Sequence, residues 1–150
     1  MSLKFTNPED LKQKTYYLAG KMSGIPQFNV PEFFRVAALL RQQGHKIINP
    51  AELDTEECRL AALRSLTGDK KDLPKGETWG QIMGRDITAV IDDVDGVIVF
   101  PNWTNSLGAR LETYTAYLLH KEVQVVWVNK QGTVTLTELA EEEILEGVAH

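Results

Sequence analysis

The chain reads as a single-domain α/β protein, a doubly wound parallel sheet of the flavodoxin or Rossmann type with helices on both faces. Three observations predict this. Short apolar runs alternate with helical patterns along the chain. Two of those runs, Val94 to Phe100 and Val123 to Val128, are almost unbroken in apolar residues, as strands covered on both faces are. And 150 residues, 43% hydrophobic and 25% charged, suit one ordinary globular domain with a real core.

The elements follow in order. Thr15 to Ala19 is a β-rich run ending at Gly20. Val30 to Gln43 reads as a helix: Phe33, Phe34, Ala37 and Leu40 recur at helical spacing, Pro31 fits the first turn and Gly44 the stop. Lys46 to Asn49 is a short strand closed by Pro50. Residues 52–84 form a polar insertion. Within it a helical piece around Glu56 to Leu66 gives way to Thr67-Gly68-Asp69-Lys70-Lys71-Asp72, and long loops of this kind often serve as lids or binding loops. Trp79 to Asp92 and Leu107 to His120 are helices on either side of the first long apolar run. Val123 to Val128 is the next buried strand, and Leu136 to Glu146 a final acidic helix. Such an order implies right-handed crossovers and a parallel sheet.

Composition excludes several classes of function. The formal net charge is -5, which repels phosphate backbones, so no nucleic-acid polymer is expected as partner. The single cysteine, Cys58, reads as a small helix residue and not as a nucleophile. No apolar run approaches the roughly 20 residues of a membrane span, and Met1 to Phe5 carries no signal-like stretch. A cytoplasmic location without membrane contact is expected, and no metal or cofactor.

In doubly wound sheets, ligands bind at the carboxyl ends of the strands near the switch in strand order. That rule selects Gly20-Lys21-Met22-Ser23-Gly24 after the first strand and Pro101 to Gly108 after the third. The two loops are expected to border one cavity. Ser106 suits an N-cap and Gly108 permits close backbone approach, which makes the helix start an anion site or a plain cap. Glu112 lies about a turn further in, amid Leu111, Tyr114, Ala116 and Tyr117. It is either an outward solvated residue or a group held at a pocket floor, and periodicity does not decide. Asp86 can pair with Arg85, cap a turn or serve the site. Asp92, Asp93 and Asp95 read mainly as structural acids.

Several segments together resemble the nucleoside 2-deoxyribosyltransferase-like superfamily, closest to its small, mostly phage-borne branch. They are Tyr16 to Gly24, Asn49-Pro50-Ala51-Glu52, Asp86, Asp95 to Val99, and Ser106-Leu107-Gly108-Ala109 followed by Glu112. The resemblance implies an N-glycosidase or deoxyribosyltransferase acting on a nucleoside or its 5′-monophosphate. Glu112 would be the nucleophile at C1′, and Asp86 would hold the sugar or protonate the departing base. Ser106, Gly20 and Gly24 would bind a 5′-phosphate, and Tyr17, Met22, Ser23, Asn105 and Gly108 complete the expected substrate-binding set. Tyr16, Tyr17 or a backbone N–H should hold the nucleophile. The pattern departs from the nucleotide hydrolases at Arg110, where a glycine is common, and in the polar insertion. Two other functions fit the same residues: a non-catalytic nucleotide-binding module, and a phosphoribohydrolase-type enzyme.

A homodimer or higher homo-oligomer is also expected. Leu111, Tyr114, Tyr117 and Leu118, and likewise Phe33, Phe34, Val36, Leu39 and Leu40, spread over more of their helices than one core face needs. The resemblance points the same way, with a neighbouring subunit helping to close the site.

Overall fold

A computed structural model describes residues 14–150. Five strands form one sheet in the order β2-β1-β3-β4-β5. β1 (Thr15–Ala19), β2 (Lys46–Ile48), β3 (Gly96–Val99) and β4 (Glu122–Val128) run parallel, and β5 (Val134–Glu138) runs antiparallel to β4. This is the doubly wound α/β fold, with the switch in strand order between β1 and β3. The α-helices among these residues are α1 (Val30–Gln42), α2 (Pro50–Leu53), α3 (Glu56–Arg64), α4 (Trp79–Asp92), α5 (Leu107–Leu118) and α6 (Glu141–Val148).

Strand alternation divides the core. Tyr16 and Leu18 of β1, Ile98 of β3 and Val126 of β4 face α1, whose Phe33, Val36, Ala37 and Leu40 cover them. Tyr17 and Ala19, Val97 and Val99, and Val123 and Val125 face the other way. They pack under Ala89 and Val90 of α4, Ala109 and Ala116 of α5, and Ile144 of α6. Gly20 ends β1 against the ring of Phe100, which an added Cβ would strike.

The end of the chain differs from the sequence expectation. Leu136 lies in β5, and the last helix begins only at Glu141. The reason is local. Asn129 Oδ1 accepts from the N–H groups of Gln131 and Thr133, at 3.0 and 2.8 Å, and Gly132 takes φ +80°. That tight turn sends Val134-Thr135-Leu136-Thr137-Glu138, an alternating and β-branched stretch, back along β4.

The polar insertion is docked on the loop after β1. The Gly24 N–H donates to the Gly68 carbonyl at 2.9 Å, and the Gln27 N–H to the Ser65 carbonyl at 2.8 Å. Ser65 Oγ donates to Asp72 at 2.8 Å and accepts from the Gly68 N–H at 3.0 Å. Phe28, Val30, Ala51 and Ala62 form a small separate core beneath, with Met22 and Leu63 against it. Gln27, Phe28 and Asn29 all have φ between 51° and 60°, three consecutive left-handed residues without a glycine. Each is strained on its own. The contacts to the insertion and the burial of Phe28 hold them.

Candidate active site

Two carboxyl side chains lie where helix packing ordinarily places apolar ones. The buried stripe of α5 is Ala109, Glu112, Thr113 and Ala116, and that of α4 is Met83, Asp86, Ala89 and Val90. The stripes face Tyr17 on β1. Glu112 is 5% exposed, Asp86 6% and Tyr17 0%. The Tyr17 hydroxyl is buried without a hydrogen bond of standard geometry, yet it lies close enough to both carboxyls for the three groups to shift one another.

Electrostatics separates the acids. Burial pushes the Glu112 carboxyl up to about 8; the nearby charge of Asp86 adds to that rise, while Tyr17 and Arg85 oppose it. Asp86 is also raised, first by burial, but Arg85 counteracts this directly. Arg85 Nε and Nη2 each stand 2.9 Å from Asp86 Oδ1, and Nη1 stands 3.1 Å from Asp54 Oδ1. Among the described residues Glu112 has no such cation. Burial and the charges of Glu112 and Asp86 hold the Tyr17 phenol well above its ordinary value, so it stays protonated.

A family profile described as a domain of unknown function (DUF4406) matches residues 14–125. The chain belongs to the DUF4406 family. The DUF4406 match spans β1, the insertion and α5, so Tyr17, Asp86 and Glu112 all lie within it, whereas β5 and α6 lie beyond. No curated protein and no solved structure matches the chain.

In this DUF4406 chain the other expected site residues are spread over the two loops. Ser106 is the N-cap of α5, its Oγ accepting from the Ala109 N–H at 3.1 Å. Gly108 faces Met83, whose Sδ a Cβ would approach to 3.3 Å. Ser23, Gly24 and Asn105 are exposed, and the Gly24 N–H is spent on Gly68. Met22 packs into the small core, and Gly20 packs on Phe100. Surface concavities of about 690 and 390 Å³ lie around Arg64 to Asp72 and between Trp103 and α6; Ser106, Gly108 and the Gly20–Gly24 loop line neither. Tyr16, one of the donors considered for Glu112, points to the opposite face and donates to Glu122 at 2.7 Å. Among the described residues no group of three or more His, Cys, Asp or Glu side chains is placed to hold a metal ion. No helix among them is long and apolar enough to cross a membrane.

Asp54 escaped the sequence reading, and Asn49 entered it only within a resembling segment, without a role. Asp54, just past α2, completes the Arg85 ion pair. Asn49, 1% exposed after β2, caps α2 through Oδ1 and leaves Nδ2 unpaired. Its signals in the sequence are that segment and its place before proline at a strand's carboxyl end. With Tyr17 and Asn102 Oδ1, Asn49 makes three buried polar atoms without partners among the described residues, carried on or just after the adjacent strands β2, β1 and β3.

Proposed function

We propose that this protein cleaves the N-glycosidic bond of a nucleoside or its 5′-monophosphate through Glu112. The observation that carries the proposal is the convergence of two buried carboxyls and a buried phenol beside the β1/β3 switch point. Unpaired buried polar groups are costly, and a sugar's hydroxyls could satisfy them. In the reaction the Glu112 carboxylate attacks C1′, the C1′–N bond breaks with its electrons going to the base, and the base takes a proton from solvent water. Water then cleaves the glycosyl ester, or a second base displaces it. The Arg85 contact suits Asp86 to the first of its two possible roles, accepting a hydrogen bond from the sugar. Incubation with a panel of deoxynucleosides, ribonucleosides and their monophosphates should release free base, and Glu112→Ala should abolish that release. The absence of free base across the panel, or unchanged turnover in the variant, would overturn the reading. Because Glu112 must be ionised to attack, kcat/KM should rise with pH and level off above an apparent pKa near 8.

We also propose that two copies pair through α5. Leu107, Leu111, Tyr114 and Leu118 follow one another by four, three and four residues, and are 58%, 40%, 37% and 56% exposed. They form a single outward stripe.

A further inference from the structure

We propose that Arg85 is a positioning residue that decides which of the two site carboxyls holds a proton, keeping Asp86 as carboxylate and leaving Glu112 as acid. The inference rests on the reading of Glu112 and Asp86 as the site and adds the group that makes them unequal. Two carboxyls buried near each other do not readily ionise together, so the pair retains a proton. A guanidinium is always charged and offers its N–H groups in a fixed plane. Arg85 uses that plane to reach Asp86 through Nε and Nη2 and Asp54 through Nη1. Glu112, on the neighbouring helix, has no ion-pair partner among the described residues, and Arg85 acts on it only after burial, Tyr17 and Asp86. The charged and titratable groups facing the pair are therefore Tyr17 from β1, Arg85 from α4 and, through Arg85, Asp54 after α2; Glu77 and Arg59 act on Asp54.

Asp54 gives the arrangement a second arm. It shares the guanidinium with Asp86 and adds negative charge, so it weakens the hold of Arg85 on Asp86. The two arms predict effects of opposite sign on the Asp86 midpoint.

The test is carboxyl-carbon NMR titration of the isotope-labelled protein without ligand, comparing wild type with Arg85→Gln, Arg85→Lys and Asp54→Asn. In wild type Asp86 should titrate at lower pH than Glu112. Arg85→Gln should raise the Asp86 midpoint by about one pH unit or more, roughly tenfold in proton affinity. Arg85→Lys should restore part of that shift, and Asp54→Asn should lower the midpoint. Asp86 titrating above Glu112 in wild type would overturn the proposal, as would an Asp86 midpoint that moves the same way, or not at all, in the Arg85 and Asp54 variants. If Arg85→Gln does not fold, Asp54→Asn decides alone, and no downward shift overturns the idea. Turnover is not read, so failure to release base from any nucleoside would remove the proposed reaction without touching this result.

Discussion

Glu112 occupies a position that the packing of α5 would ordinarily give to a leucine, and its ionisation therefore works against folding. Its unfolded carboxyl titrates near 4.5 and its folded one near 8. Between those values the folded state binds more protons than the unfolded state, so stability falls as pH rises. The contribution is fully present below about 4.5 and lost by the time pH passes 8. Glu112→Gln should accordingly match wild type in the acid range and exceed it at pH 9, by on the order of 1–3 kcal/mol in urea unfolding. Equal stability of the two proteins at pH 9 would mean that the side chain escapes to water. In the sequence, the type and spacing of Asp86, Ser106 and Glu112 were legible, but the direction of Glu112 was not. Its neighbours Leu111 and Tyr114 are apolar, and local reading takes apolar residues as the inward ones; here they face out. The choice between Tyr16 and Tyr17 was hidden for a related reason, since adjacent strand residues look alike until the sheet has a known far side.

At the scale of elements, the four parallel strands and the helix after each of β1 and β3 were readable, because hydrophobic period and turn residues agree in them. β5 was not, since Leu136 to Glu146 contains an acidic, helix-compatible run that conceals the hairpin before it. The docking of the insertion was equally hidden, as it runs through backbone groups that carry no sequence signal. Gly68 is its hinge pin: it has φ +75°, and a Cβ would meet the Ile25 carbonyl oxygen and the backbone nitrogens of Ile25 and Gly24. Gly68→Ala should therefore lift the 65–72 segment off the Gly24 loop, costing about 1–3 kcal/mol. Limited proteolysis should cut within that segment faster than in wild type. Unchanged cleavage would show that the hydrogen bonds from Gly24 and Gln27 are dispensable. The left-handed turn at Gln27–Asn29 depends on the same contacts, so trimming the insertion would release the turn as well.

Across the whole molecule, α1 and α5 were both expected to leave apolar surface, and they differ. Phe33, Val36 and Leu40 of α1 are fully covered by the sheet, with Phe34 left 37% exposed, whereas the outer stripe of α5 is open along its length. If pairing uses that stripe, light scattering at micromolar concentration should give twice the mass of one chain, and Leu111→Glu with Leu118→Lys should halve it without unfolding the protein. A single-chain mass for the wild type would remove the pairing. The same helix presents Leu111 to the outside and, one residue later, Glu112 to the sheet. Burying the outer stripe would stiffen the backbone that aims the carboxyl. Dilution would then act as a switch: specific activity per chain would fall as the protein was thinned below its self-association range and recover on concentration, so the quantity setting output would be the amount of protein present as well as the amount of substrate.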